Sequence, residues 1–196
     1  MTKKRKITDP EILKGLAHPM RVRLYQLLST APATVGDLAK KVGGDPGQVS
    51  YHLRELEKRG FIEEAPELSR DLRQSWWRST GEQISFSSED FDTPGGRFVA
   101  DTVKAQWVLE QFRQVRAAEA AKSDLDLPWR KAMSASQTSL YLDAEELTEL
   151  GSELLAVFDR WNPRSRANRA KDDDVDRRAV RVFYHAIPEV PPEERR

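Results

Sequence analysis

The stretch "DPGQVSYHLRELEKRG", Asp45 to Gly60, decides the fold of the first part of this chain. An aspartate followed by a proline is a favoured start for an α-helix, because the carboxylate caps free N–H groups and proline fits the first turn. Glycine is favoured where a helix ends. The quoted stretch therefore predicts a helix over residues 45–59.

This predicted helix has an apolar face and a polar face. Val49, Leu53 and Leu56 share one side at the helical period of 3.6 residues. The polar residues lie opposite or on the flanks, and they are Gln48, Ser50, Tyr51, His52, Arg54 and Lys58. Such groups hydrogen-bond base edges and phosphates, and a helix N-terminus adds N–H donors that favour phosphate. A merely solvated face would have the same pattern, so the neighbouring segments must decide between the two interpretations.

The neighbouring segments favour a DNA-binding fold. Helical patterns begin after Asp9 and at Pro19, and a short helix is predicted from Thr34 to Val42, followed by a break at Gly43 and Gly44. Two short runs with strand character, "FIEEAP" and "SWWRST", follow the quoted helix. A short helix, a turn, a second helix and a hairpin, in this order, are typical of a winged helix-turn-helix.

The runs "LAHPMRVRLYQLL", "TVGDLAKKV" and "PGQVSYHLRELEKRGFIE" resemble the winged helix-turn-helix of ArsR-type bacterial transcription regulators. The resemblance covers roughly residues 10 to 80. Its entry motif lies at His18, Pro19 and Arg21. Its recognition-helix motif lies at Ser50, His52, Leu53, Leu56 and Gly60.

The resemblance implies that the helix 45–59 enters the major groove and that a wing over 61–80 lies on the backbone or in the minor groove. Gln48, Tyr51 and Arg54 are the first candidates for DNA contact. The full set of expected DNA-binding residues is Thr34, Gln48, Ser50, Tyr51, His52, Arg54, Lys58, Arg70 and Arg73.

Composition argues against metal sensing and catalysis. The chain has no cysteine and three histidines, His18, His52 and His185, which fall in different predicted elements. Neither a set of metal ligands on one helix face nor a nucleophile beside a base is recognisable. We therefore expect no metal site, no cofactor and no enzyme activity.

Charge and composition divide the chain. Residues 1–80 carry 15 Lys and Arg against 10 Asp and Glu, and the remainder carries 17 against 22, so the two parts have net charges of +5 and −5. A basic part is expected to meet a polyanion. We predict a flexible basic arm at 1–8, the winged helix-turn-helix domain at 9–84, a linker at 85–95 and a C-terminal region at 96–196. The expected fold class is mainly α with small β, with an α+β dimerisation or effector region at the C-terminus.

The C-terminal region combines predicted helices with predicted strands. A long helix from Arg97 is the first candidate for a dimer interface, since regulators of this kind bind two half-sites. The expected interface residues are Phe98, Val103, Trp107 and Phe112. A second helix is capped by Asp143, strands are predicted at "TSLYL" and "AVRVFYHAI", and a mobile loop is predicted over 162–178.

The expected function is that of a cytoplasmic, sequence-specific regulator that binds double-stranded DNA as a homodimer. No segment has the length or apolarity of a membrane span, and no membrane partner is expected. An unknown small-molecule effector of the second half is left open. The alternative is a winged-helix module that binds proteins and not DNA.

Overall fold

A computed structural model describes residues 4–69, 75–169, 171 and 173–189. The chain divides into two compact units, residues 2–125 and residues 126–196. The sequence predicted a division at the linker 85–95, and this is wrong: the long helix that follows the linker belongs to the first unit. Its apolar side chains fill the same core as the preceding helices, which the local composition of the linker could not show.

Four helices form the first part of this unit: α1 (Pro10–Leu13), α2 (Pro19–Leu28), α3 (Val35–Val42) and α4 (Pro46–Glu57). A 3₁₀ turn, Lys14–Leu16, continues α1. Each helix begins at a side chain that accepts backbone N–H groups, and these caps are Asp9, His18, Thr34 and Asp45. α1 contributes Leu13 to the shared core, and α2, α3 and α4 each contribute apolar residues spaced about one turn apart. The helix-turn-helix predicted from the sequence is confirmed.

A small antiparallel sheet completes the winged fold. Strands β3 (Ile62–Glu64) and β4 (Trp76–Ser79) pair in register, and β2 (Ala33–Thr34) adds to the other edge of β4. Successive side chains of a strand point to opposite faces, which is why Trp77 is buried while Trp76 is half-buried. The mainly α fold with small β elements is thus confirmed.

Helix α5 (Pro94–Ala120) packs on α1 and α2. Gly96, Ala100 and Val103 are buried along one face of α5. The Trp107 ring stacks on Tyr25 of α2 at a centroid distance of 6.3 Å. These contacts make α5 part of the domain that contains the helix-turn-helix.

The basic segment at the N-terminus is not a free arm from residue 4 onward. Strand β1 (Lys4–Lys6) pairs in parallel with β5 (Gln83–Ser85), and Ile7 is buried in the core. The flexible arm predicted for residues 1–8 is therefore wrong for residues 4–8. The pairing could not be predicted from the basic composition of this segment, because the partner strand lies nearly 80 residues away in sequence.

The second unit contains α6 (Leu127–Ala132) and α7 (Ala144–Arg169). The loop predicted over 162–178 is wrong for 162–169, since α7 continues through Pro163. The strands predicted at 138–142 and 179–187 do not form: both segments are described without strand structure. In the described part of this unit no side chain is buried. The region predicted as α+β is helical with extended segments.

Candidate nucleic-acid interface

The N-terminus of α4 is closed by its own cap. One carboxylate oxygen of Asp45 accepts the N–H groups of Gly47 at 2.8 Å and Gln48 at 3.1 Å. These are the donors that an incoming phosphate would use, and the carboxylate adds a repelling negative charge. The structure thus argues against the phosphate contact that the sequence predicted at this helix end.

The outer face of α4 is open. Its core face buries Val49, Leu53 and Leu56, and the opposite side exposes four polar side chains, Gln48, Tyr51, Arg54 and Lys58. The Tyr51 side chain is 59% exposed. Neither Arg54 nor Lys58 forms a hydrogen bond or an ion pair with another residue of the described ranges. We refer to these four side chains as the outer face.

The other arginines around α4 are used within the fold. Arg23 donates to the carbonyl oxygens of Val42 and Lys41 at 2.9 and 2.8 Å, where α3 ends. Arg59 donates to the Glu11 carbonyl oxygen at 3.0 Å. Arg5 and Arg21 hold backbone carbonyls in the same way. The cations of the outer face differ from these because they are available to an external partner.

Ser50 and His52 lie on the flanks of α4 and are half-buried. The His52 ring packs on His18, with ring centroids 4.5 Å apart, and its Nδ1 is shielded from solvent. Burial is the main cause that lowers the pKa of His52, with smaller contributions from His18 and Arg21. His52 is therefore neutral at neutral pH, and its ring is engaged with the protein rather than presented as a cation.

Thr34 caps α3 with its side chain. Its Oγ1 accepts the N–H of Asp37 at 3.1 Å and lies 2.7 Å from the Asp37 carboxylate. This reciprocal arrangement is a capping box. The Thr34 hydroxyl, which was predicted to contact DNA, is thus engaged in capping α3. The other two predicted contacts, Arg70 and Arg73, lie outside the described residues.

Helix α5 presents a second apolar face, opposite the one that joins the core. Phe98 and Phe112 are 73% and 60% exposed, and Leu109, which the sequence analysis did not select, is 63% exposed on the same side. Val103 is fully buried, and Trp107 contacts Tyr25 and Phe86. Val103 and Trp107 were predicted to line the dimer interface. That assignment is wrong for Val103, because the core of the same chain buries its side chain completely. Trp107 is half-buried against this core, and its place in the interface stays a prediction.

A family model described as a helix-turn-helix domain matches residues 16–65. The matched residues contain α2, α3, α4 and β3, so the similarity falls on the helix-turn-helix of the fold. The solved structure of a mutant of Lactococcus lactis ZitR is 14% identical to this chain, with 74% of this chain and 75% of that chain covered and a TM-score of 0.32. A likeness at this level carries no argument about function. No curated protein matches the chain.

Two further observations limit what the described residues contain. Among them, no three His, Asp or Glu side chains come together as a group that could hold a metal ion. Their helices include none that is both long and apolar enough to cross a bilayer.

Proposed function

We propose that the chain is a transcription regulator that binds double-stranded DNA in a sequence-specific manner, with α4 in the major groove. The observation that carries this proposal is the outer face of α4, where Arg54 and Lys58 are unpaired within the described part of the chain. The neighbouring arginines are held by backbone carbonyls. A helix whose cations have no partner among the described residues is suited to a polyanion.

The chemistry of the outer face fits both parts of DNA recognition. An α-helix fits the major groove, where a glutamine amide pairs with adenine and an arginine fork pairs with guanine or a phosphate. Gln48 and Arg54 supply these groups, and Lys58 and Tyr51 suit phosphate oxygens. The wing over 61–80 would lie on the adjacent backbone or minor groove.

We also propose that the regulator acts as a homodimer through the exposed apolar face of α5. Phe98, Leu109 and Phe112 lie within one strip of this helix, and leaving large apolar side chains in water is unfavourable. A two-fold dimer would present two copies of α4 to two half-sites.

The test begins with selection of bound duplexes from a random-sequence library by the full-length protein. The logarithm of the affinity for a selected duplex should fall linearly with the logarithm of salt concentration. Arg54→Ala should cost about 1–3 kcal/mol of specific binding free energy, with an unchanged thermal unfolding midpoint. Arg130→Ala on α6 is the matched control, because it removes an exposed arginine that lies in the second unit, outside α4 and the proposed dimer face.

Two results would contradict the proposal. Failure to enrich any duplex would favour the alternative, a winged-helix module that binds proteins. An equal loss of affinity in the Arg54 and Arg130 variants would show that general charge, and not the outer face, attracts DNA.

A further inference from the structure

Two histidines meet where α4 crosses the start of α2. His18 is the N-cap of α2, and its Nδ1 accepts the N–H of Met20 at 3.1 Å. The His52 ring lies 4.5 Å from the His18 ring at an angle of 36°. On its other side, Tyr51 meets His52 edge to face at 5.3 Å. A continuous row of three rings therefore joins the cap of α2 to the outer face.

We propose that the His18–His52 pair positions Tyr51 for DNA contact and that proton uptake by this pair in mild acid weakens specific DNA binding. This inference rests on the proposed function. It gives His52 a positioning role in place of the direct DNA contact that the sequence predicted.

The charges around the pair oppose protonation. The Arg21 guanidinium on α2 repels a proton on either ring. The Glu55 carboxylate on α4 attracts a proton to His52, but this effect is smaller than those of burial, His18 and Arg21, and the carboxylate is also paired with Arg59 at 2.7 Å. Burial is the largest cause that lowers the pKa of both histidines, followed by Arg21 for His18 and by the neighbouring ring for His52. The pair is consequently stable in its neutral form.

Protonation would disrupt the pair in two ways. Because Nδ1 of His18 accepts a hydrogen bond, a proton there would remove the cap and place a cation at the positive end of α2. A second cation on His52 would then lie 4.5 Å away, measured between the ring centres. Either event favours separation of the rings and releases Tyr51 from its support.

The sign of the effect follows from the direction of the pKa changes. Both histidines have a lower pKa in the folded state than the unperturbed value of about 6.5. The unfolded chain therefore takes up protons first as the pH falls. The stability contributed by the neutral pair is complete above about pH 6.5 and is lost as the pH falls from there toward the folded-state pKa.

A direct contact would behave in the opposite way. If His52 touched a phosphate, its protonation would add a favourable charge and strengthen binding in acid. The direction of the pH dependence therefore separates the two roles of the same residue.

The experiment measures the affinity of the full-length protein for a duplex selected from a random library at pH 7.5. Measurements at pH 7.5 and 5.5, at constant ionic strength, compare wild type with His52→Phe and His18→Asn. Phenylalanine keeps a ring that cannot be protonated, and asparagine keeps an N-cap acceptor. His185→Gln, in the second unit, is the matched control.

The wild type and the His185 variant should lose about tenfold in affinity between pH 7.5 and 5.5, the change that one unit of histidine pKa corresponds to. The His52 and His18 variants should lose less than about threefold, and both should unfold cooperatively at pH 7.5. Thermal unfolding of the same proteins should show the same pH dependence without DNA.

Several outcomes would overturn the inference. Wild-type binding that is constant or stronger at pH 5.5 excludes a weakening by protonation, and stronger binding restores His52 as a contact. A tenfold loss that persists in both variants assigns the effect to other groups. If no duplex binds at pH 7.5, the proposed function itself fails. Binding at pH 7.5 with no pH dependence refutes the histidine switch alone.

Discussion

Replacement of Arg5 by alanine tests how the N-terminal segment supports the DNA-binding helix. The Arg5 guanidinium donates to the Gly60 carbonyl oxygen at 2.9 Å and to that of Arg59 at 3.3 Å, directly after α4. It also lies 5.7 Å from the centre of the Phe61 ring and 3.5 Å from the Glu82 carboxylate. Arg5 therefore joins β1, the end of α4 and the segment before β5.

The expected loss of stability follows from these contacts. Hydrogen bonds from a charged donor contribute about 1.5–3 kcal/mol, and a cation–π contact contributes about 0.5–1 kcal/mol. The Arg5 side chain is 26% exposed, so the contribution of its ion pair is screened and small. We expect Arg5→Ala to lower the free energy of unfolding by about 2–4 kcal/mol.

The assay is equilibrium unfolding in urea, followed by tryptophan fluorescence, since Trp77 and Trp107 both lie in the first unit. Lys6→Ala is the matched control, because it removes the same charge from the same strand. The Lys6 ammonium pairs with Asp90 at 2.6 Å but is 63% exposed, and such surface pairs contribute about 0–1 kcal/mol.

Equal losses in the Arg5 and Lys6 variants would refute the reasoning, because charge alone would then explain both. If the Arg5 and Lys6 variants were both as stable as the wild type, the flexible arm predicted from the sequence would be restored. Arg5→Lys should recover part of the loss, since an ammonium keeps the charge but lacks the planar fork that reaches both carbonyl oxygens.

Three other predictions concern the remaining parts of the first unit. Gly15→Ala should destabilise the protein by about 1–3 kcal/mol in urea unfolding, because a Cβ at this position would lie 2.6 Å from the Phe61 ring. Thr34→Ala should cost about 1 kcal/mol through loss of the α3 cap, and DNA affinity measured well below the unfolding midpoint should stay within about twofold. Leu109→Asp should convert the dimer to a monomer in light scattering, since it places a charge in the proposed apolar interface.

Each of these has a clear contrary result. Unchanged stability of the Gly15 variant would show that the Arg59 and Phe61 side chains beside Gly15 can move away. A large loss of DNA affinity in the Thr34 variant would restore the hydroxyl as a DNA contact. A dimer that survives the charge at position 109 would place the interface elsewhere. Glu149→Lys, an exposed change on α7 in the second unit, is the control for the last experiment.

The helix-turn-helix could be predicted because its signals are local. The caps Asp45 and Thr34 act on N–H groups two or three residues away, so the same residues that begin α3 and α4 reveal them in the sequence. The buried stripe of α4 also follows from helical spacing alone. For the same reason, the outer face was correctly expected to be exposed.

The predictions from the sequence were wrong where the structure of a segment depends on a partner that is distant in sequence. The segment 179–187 alternates residues that favour β-structure, but a strand also requires backbone pairing with a neighbouring strand, and the segment has no strand structure. Conversely, Lys4–Lys6 has the composition of a solvated arm and pairs with a strand far along the chain. Proline usually marks the end of a helix, but α7 continues through Pro163.

The sequence by itself determined where α1 to α4 begin, which residues line the apolar stripe of α4 and which polar groups α4 turns outward. Only the tertiary structure decided how those polar groups are used. Arg59 holds a carbonyl 48 residues away, His52 packs on His18, and Arg54 remains open. The physical reason is that caps and periodicity act within one or two turns, whereas hydrogen-bond partners across the core depend on the packing of several elements.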